Sequence, residues 1–138
     1  MRQFVEQYKT HPVIFRLSRE LTAHLPQKDF TNEIKALYNY VRDSIRYVRD
    51  INGVETIQTP VKTLEFGTGD CDDKATLLAA LLESIGAETR FNAMGFRKNH
   101  ISHVSLQVKN GGKWVNLETT EPVDMGWLPP GIKTNLYR

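Results

Sequence analysis

The sequence predicts an α+β fold, with helices packed on an antiparallel sheet, and three observations predict it. Apolar residues recur every three or four positions from Phe4 to about Val48, and again from Cys71 to Ile85, which is the spacing of buried helix faces. After Gly86 the period falls to two, and Asn110-Gly111-Gly112 separates two alternating runs, as in a β-hairpin. Between these halves lies a strongly apolar run, Ala75 to Leu82, which as a helix must be surrounded by protein.

A chain of 138 residues suits one domain that buries a real core without disulfides or metals to staple it. We expect a single domain over 1–138, with a helical N-terminal arm over 1–28 and a core over 29–138. The charged fraction is 25% and the net charge +2, which gives no broad electrostatic footprint for nucleic acid or an anionic membrane. One cysteine excludes an internal disulfide and suits a reducing compartment or a thiol kept for chemistry. No apolar stretch is long enough to span a bilayer. Met1-Arg2-Gln3-Phe4 does not open a signal peptide, so the expected location is cytoplasmic, with neither nucleic acid nor membrane as partner.

In chain order, Phe4, Val5, Tyr8, Val13, Ile14, Leu17, Leu21 and Leu25 form an apolar stripe. Pro12 should break or restart it, Pro26 ends it, and His11 and His24 are read as boundary residues. A second helix is predicted from Asp29 or Thr31 to Arg49, burying Ile34, Leu37, Tyr38, Val41, Ile45 and Val48. Its Arg42, Asp43, Arg46, Arg49 and Asp50 alternate in sign, as on a solvated, ion-paired face. Asn52-Gly53 marks a turn, and Val54 to Pro60 reads as extended.

The central helix starts at Cys71. Asp70 is a natural N-cap, Asp72 and Asp73 suit the positive end of the helix dipole, and Gly86 is a natural terminator. Capping therefore explains all three aspartates. A calcium site at Asp70, Asp72 and Asp73 is the sharper alternative, because hard cations take clustered carboxylates. The spacing is not that of an EF-hand, since Ala75 stands where the loop glycine belongs.

Strands are predicted over Glu88 to Arg97, His103 to Lys109 and Lys113 to Glu118. The hairpin between the last two admits three registers. A turn at Asn110-Gly111 sets His103 directly opposite Glu118, with Cβ atoms about 5 Å apart. A turn at Gly111-Gly112 opposes Glu118 to Ser105, one diagonal from His103. A three-residue turn points Glu118 to the other face. In two of these registers the imidazole and the carboxylate meet.

That pairing gives Cys71 a functional reading beside the bland one of a packed hydrophobe. A nucleophilic thiol needs a base, and the base needs a third group to fix its tautomer and stabilise its cation. Cys71, His103 and Glu118 are the candidates for these roles. Gln58 and Tyr47 are candidate donors to a developing oxyanion, beside the Cys71 N–H.

Gly69-Asp70-Cys71-Asp72-Asp73, the helix ending Ser84-Ile85-Gly86-Ala87, Ser102-His103-Val104 and Trp114-Val115-Asn116-Leu117-Glu118-Thr119-Thr120 resemble the core of the bacterial transglutaminase-like, papain-fold superfamily. The resemblance runs from about Val41 to Pro130. It implies a papain-like core, Cys71 as nucleophile, His103 as base and Glu118 as orienting acid, where most members carry aspartate followed by Pro-Thr. It further implies acyl transfer at an amide of a peptide or similar substrate. Water as acceptor makes a protease or amidase, and an amine makes a crosslinking transglutaminase. No cofactor is required, although the Asp-Cys-acid-Asp string is similar to a calcium-dependent periplasmic protease branch. Gly69 to Asp73, Gln58-Thr59-Pro60 and Gly126-Trp127 resemble proteins of phages and prophages, which implies a virion-associated alternative with phage structural proteins as partners. The rival from another class is a non-catalytic binding module whose surface includes Trp127 beside Pro129-Pro130.

Overall fold

In the computed structural model, which describes residues 1–26, 28–49 and 57–138, Pro12 does what its chemistry allows. Lacking an N–H, it takes the first helical position of α2 (Pro12–Thr22), while the Nδ1 atom of His11 accepts the Val13 N–H as the N-cap at 3.2 Å. A separate helix, α1 (Arg2–Tyr8), precedes it. Val5 and Ile14 are fully buried and belong to the large apolar cluster of the described residues, so both helices contribute side chains to the core.

Helix α3 (Phe30–Ser44) buries the predicted stripe of Ile34, Leu37, Tyr38 and Val41. It stops at Ser44, short of the predicted Arg49. Ile45 turns extended, and Arg46–Tyr47 form β1, paired in parallel with β2 (Thr68–Gly69). The Arg46 N–H donates to the Gly67 carbonyl and the Val48 N–H to that of Gly69, both at 2.9 Å. Apolar spacing could not reveal this change, because Ile45 is buried in the extended form as it would be in the helix.

The predicted turn at Asn52-Gly53 and the start of the extended segment at Val54 lie outside the described residues. That segment's predicted end is corrected, since Pro60 opens a helix, α4 (Pro60–Phe66), behind a Thr59 N-cap whose hydroxyl accepts the Lys62 N–H. Then comes α5 (Cys71–Ser84), in which every residue from Asp73 to Leu82 is buried. Helices α1 to α4 all touch it. Buried Ser18 of α2 donates to the Leu81 carbonyl at 3.0 Å. No described helix is long and apolar enough to cross a membrane.

The four strands β3 (Thr89–Gly95), β4 (His103–Asn110), β5 (Lys113–Leu117) and β6 (Thr134–Tyr137) form an antiparallel sheet in the order β5-β4-β3-β6. Its hairpin turns at Gly111-Gly112, where both residues have positive φ, 60° and 80°, as a type I′ turn demands. Leu106 therefore pairs with Leu117 and Asn110 with Lys113, and the same register carries Glu118 to the diagonal of His103. Phe91, Val104, Leu106, Val108 and Leu117 join the α5 leucines in the core. On the opposite face buried Ser105 donates to Asn116 Oδ1 at 2.7 Å. Asn116 Nδ2 in turn donates to the Trp127 carbonyl at 2.9 Å, and the Gly126 N–H to the Asn116 carbonyl at 2.7 Å. These bonds strap the chain after Glu118 across the sheet.

Because α5 is enclosed, truncating one of its leucines leaves a cavity that cannot collapse freely. Leu81→Ala is expected to lower the unfolding free energy by about 2–5 kcal/mol in urea titration, and a loss under about 1 kcal/mol would contradict that enclosure.

Candidate active site

The site is built around the start of α5, where the first backbone N–H groups have no intrahelical acceptor. Asp70 and Asp73 form a reciprocal capping box. The Asp73 N–H donates to Asp70 Oδ1 at 2.9 Å, and the Asp70 N–H donates to Asp73 Oδ2 at 3.1 Å. Cys71 follows the cap as the first helical residue, with its side chain half-buried. The absence of a side chain at Gly69 is required here, since a Cβ there would lie 2.7 Å from the Asp73 Cβ.

Asp73 also receives the segment that enters α4. The Gln58 N–H donates to Asp73 Oδ1 at 2.8 Å, and Gln58 Nε2 donates to Asp73 Oδ2 and to the Thr68 carbonyl, each at 3.1 Å. Both amide hydrogens of Gln58 are thereby committed, which leaves none for the oxyanion role expected of it. Its part is to fasten residues 57–59 to the helix start. Burial pushes the Asp73 carboxyl up to about 6, against the Gln58 and Asp70 N–H groups that favour its charge.

Two of the three carboxylates expected for calcium, Asp70 and Asp73, serve the helix start instead. The oxygens of Asp70 and Asp73 accept backbone and amide N–H groups, and among the described residues no three His, Cys, Asp or Glu side chains come together as metal ligands.

His103 opens β4. Its Nε2 faces both oxygens of Glu118, at 2.9 Å and 2.8 Å, and the Cys71 side chain is near enough to the ring to favour its charged form. With Nε2 held by the carboxylate, Nδ1 is the nitrogen left for sulfur. Burial opposes the charge on the imidazole, but Cys71 and Glu118 together outweigh it, and His103 is raised to about 10. The structure therefore brings Cys71, His103 and Glu118 together.

Glu118 is 1% exposed and is held at both ends. Thr120 donates its hydroxyl to Glu118 Oε1 at 2.9 Å, with its N–H at 3.4 Å from the same oxygen. At the backbone end, the buried Tyr38 hydroxyl lies 2.8 Å from the Glu118 carbonyl and 2.7 Å from that of Val123. Burial pushes the Tyr38 phenol up to about 12, so it remains a donor.

Tyr47 pairs with Gly69 through β1 and β2 and is 42% exposed. Its phenol is raised, first by burial and then by the negative charge available at Cys71, with Asp70 and Glu118 adding to the effect and Arg49 opposing it. The phenol thus lies within electrostatic reach of the sulfur and keeps its proton.

Lys74, one turn beyond Cys71, is 1% exposed. Its Nζ donates to the Ile45 carbonyl at 2.6 Å and to that of Arg42 at 3.2 Å. Burial lowers it to about 8, with Asp43 and Glu118 pulling the other way. Sequence reasoning missed Lys74, Tyr38 and Thr120. The signals present were one lysine inside an apolar run and a threonine two residues past an acid, the spacing of a local side-chain-to-side-chain or side-chain-to-backbone bond.

A thiol at a helix start, facing an imidazole on an antiparallel sheet that is backed by a carboxylate, places the chain in the papain-like class of α+β folds. The family profile described as "Transglutaminase-like superfamily" matches residues 16–119, and the chain belongs to that superfamily. Among solved structures it is similar to a "putative cysteine protease" of Cytophaga hutchinsonii, at 18% identity and a TM-score of 0.67, covering 89% of this chain and 43% of that one. LapG of Legionella pneumophila matches at 16% identity and a TM-score of 0.67, covering 96% and 80%. A "putative protease" of Parabacteroides distasonis matches at 12% identity and a TM-score of 0.67, covering 87% and 25%. This chain thus spans less than half of the Cytophaga and Parabacteroides chains. A search of curated proteins gives no match.

The raised imidazole has a consequence for stability. A histidine at about 10 in the folded state and 6.5 when free stabilises fully below about pH 6.5, and that contribution is lost as the pH rises through about 10. Lys74, lowered to about 8, works in the opposite direction above that pH. The clean measurement is therefore a difference. The stability of the wild type minus that of His103→Gln, from urea titrations between pH 6 and 10, is expected to fall steadily as the pH rises, and a flat difference would contradict the pairing.

Proposed function

We propose that this domain catalyses thiol-dependent acyl transfer at an amide bond, with water as the acceptor, as a cysteine protease or amidase acting on peptide or peptide-like substrates. The observation that carries the proposal is the His103 imidazole held through Nε2 by both oxygens of Glu118, with Cys71 near enough to favour its charged form.

In the reaction, His103 Nδ1 takes the proton of the Cys71 thiol, and the sulfur attacks the amide carbonyl carbon. The helix start favours negative charge on that sulfur. The tetrahedral oxyanion is assigned to the Cys71 N–H, at the first position of α5, and the Tyr47 hydroxyl, donors that stabilise charge as it develops. The imidazolium, stabilised by Glu118, then gives its proton to the leaving nitrogen. The C–N bond breaks, and a thioester remains on Cys71. Water, deprotonated by His103, attacks the thioester, the C–S bond breaks, and the carboxylic acid leaves. Hydrolysis is the chosen acceptor reaction because water needs no second binding site, which a crosslinking amine would require.

Two measurements test this reading. Iodoacetamide is expected to label Cys71 near neutral pH faster than it labels free cysteine, with His103→Ala slowing the reaction about tenfold or more. Labelling at the free-cysteine rate would refute an activated thiol. In turnover of an amide substrate, the alkaline limb should follow loss of the imidazolium near pH 10, because the leaving amine then lacks its proton donor.

No step of this mechanism draws on a metal, and Asp70 and Asp73 serve as the helix cap. The thermal midpoint is expected to be the same in calcium and in EGTA, and a calcium-dependent rise would show a site that the capping interpretation does not contain.

A further inference from the structure

The mechanism above gives Glu118 a task but does not explain how so flexible a side chain stays on His103. A glutamate has one more rotatable bond than an aspartate, and each free torsion is a way for the carboxylate to leave the ring. Its backbone end is fixed by the Tyr38 hydroxyl, 2.8 Å from its carbonyl. Its carboxylate end is fixed by Thr120, whose hydroxyl donates to Oε1 at 2.9 Å while Oε2 stays 2.8 Å from His103 Nε2.

We infer that Thr120 is a positioning residue of the site, one that acts on Cys71 only through the Glu118 carboxylate and His103. The inference rests on the Cys71–His103–Glu118 assignment proposed above. The neighbouring threonine provides a contrast within the same segment. Thr119 is 2% exposed and its hydroxyl has no hydrogen-bond partner among the described residues, whereas the Thr120 hydroxyl makes a charge-assisted bond, the stronger kind. The two hydroxyls lie side by side in sequence, and only one is tied to the acid. Thr120 also lies just beyond the stretch matched by the family profile, which ends at residue 119.

A role exerted through Glu118 makes a prediction that a structural role does not, because residues acting as a unit are not additive. The readout is the second-order rate of iodoacetamide attack by the Cys71 sulfur, which displaces iodide and requires no knowledge of the substrate. Thr120→Val should slow it about fivefold or more, Thr120→Ser should restore it, and Thr119→Val should leave it unchanged. In a Glu118→Gln background the Thr120→Val penalty should vanish. Thr120→Ala, which cannot crowd the loop, provides a second variant if valine impairs folding.

The failures are distinguishable. A wild-type thiol that reacts no faster than free cysteine overturns both the proposed mechanism and this inference. A fast wild type with an equally fast Thr120→Val overturns the positioning role alone. A penalty that persists undiminished in Glu118→Gln also overturns it, by showing that Thr120 supports the fold rather than the acid.

Discussion

The two hydrogen bonds between Asp70 and Asp73 hold the most demanding junction in the molecule, the start of a helix that is buried almost throughout. A helix end carries backbone N–H groups without partners, and leaving them unpaired in an enclosed position costs free energy. Asp70 and Asp73 satisfy two of them reciprocally, and Asp73 collects two more N–H groups from Gln58. The arrangement engages Asp70 Oδ1 and both oxygens of Asp73 in binding N–H groups. Cys71 follows the cap at the first helical position, where backbone N–H groups lack an intrahelical acceptor. The cost appears in Asp73, whose carboxyl is pushed up to about 6 by burial.

A second junction is set by a residue of the same helix. Lys74 points its ammonium at the Ile45 and Arg42 carbonyls, the exposed negative end of α3. That contact lies where α3 stops and the chain straightens into β1, and β1 is what sets Tyr47 beside Gly69, two residues before Cys71. One turn of α5 thus presents the thiol on one residue and, three residues later, anchors the strand that carries a candidate oxyanion donor. Burying a lysine is costly, and its fall to about 8 reflects that cost. Its nearness to buried Glu118 also places positive charge near that carboxylate.

The sequence made the central helix, its aspartate cap, the three hairpin-side strands and the convergence of Cys71 with His103 and Glu118 legible, because periodicity and turn residues are local signals. It did not disclose β1 or β2, whose two-residue pairing joins distant segments and competes with an uninterrupted helical stripe at Ile45 and Val48. Helix α4 was legible in principle. Thr59-Pro60 is a helix start, and Gly67, with φ of 66°, is a helix end, but seven residues leave too few apolar repeats to outweigh an extended reading. Strand β6 was missed because Thr134 to Tyr137 is an exposed edge with no clean alternation. Gln58 was misassigned for a related reason. An amide's position in the chain says nothing of which acceptor claims its hydrogens, and Asp73 was the nearer claimant.

The hairpin turn and the identity of residue 118 are best understood together. Both glycines of Gly111-Gly112 take positive φ, so the turn falls one residue later than Asn110-Gly111 would place it, and residue 118 lies on the diagonal from His103 instead of directly opposite. Diagonal neighbours on one face are separated by about 7–8 Å, against about 5 Å for direct partners. A side chain with two methylenes can cross the wider gap and still bring both carboxylate oxygens within 2.9 Å of Nε2. The extra length adds a torsion, and the adjacent Thr120 hydroxyl supplies the bond that restrains it. Turn register, acid length and the hydroxyl two residues on are therefore three parts of one geometric arrangement around the imidazole.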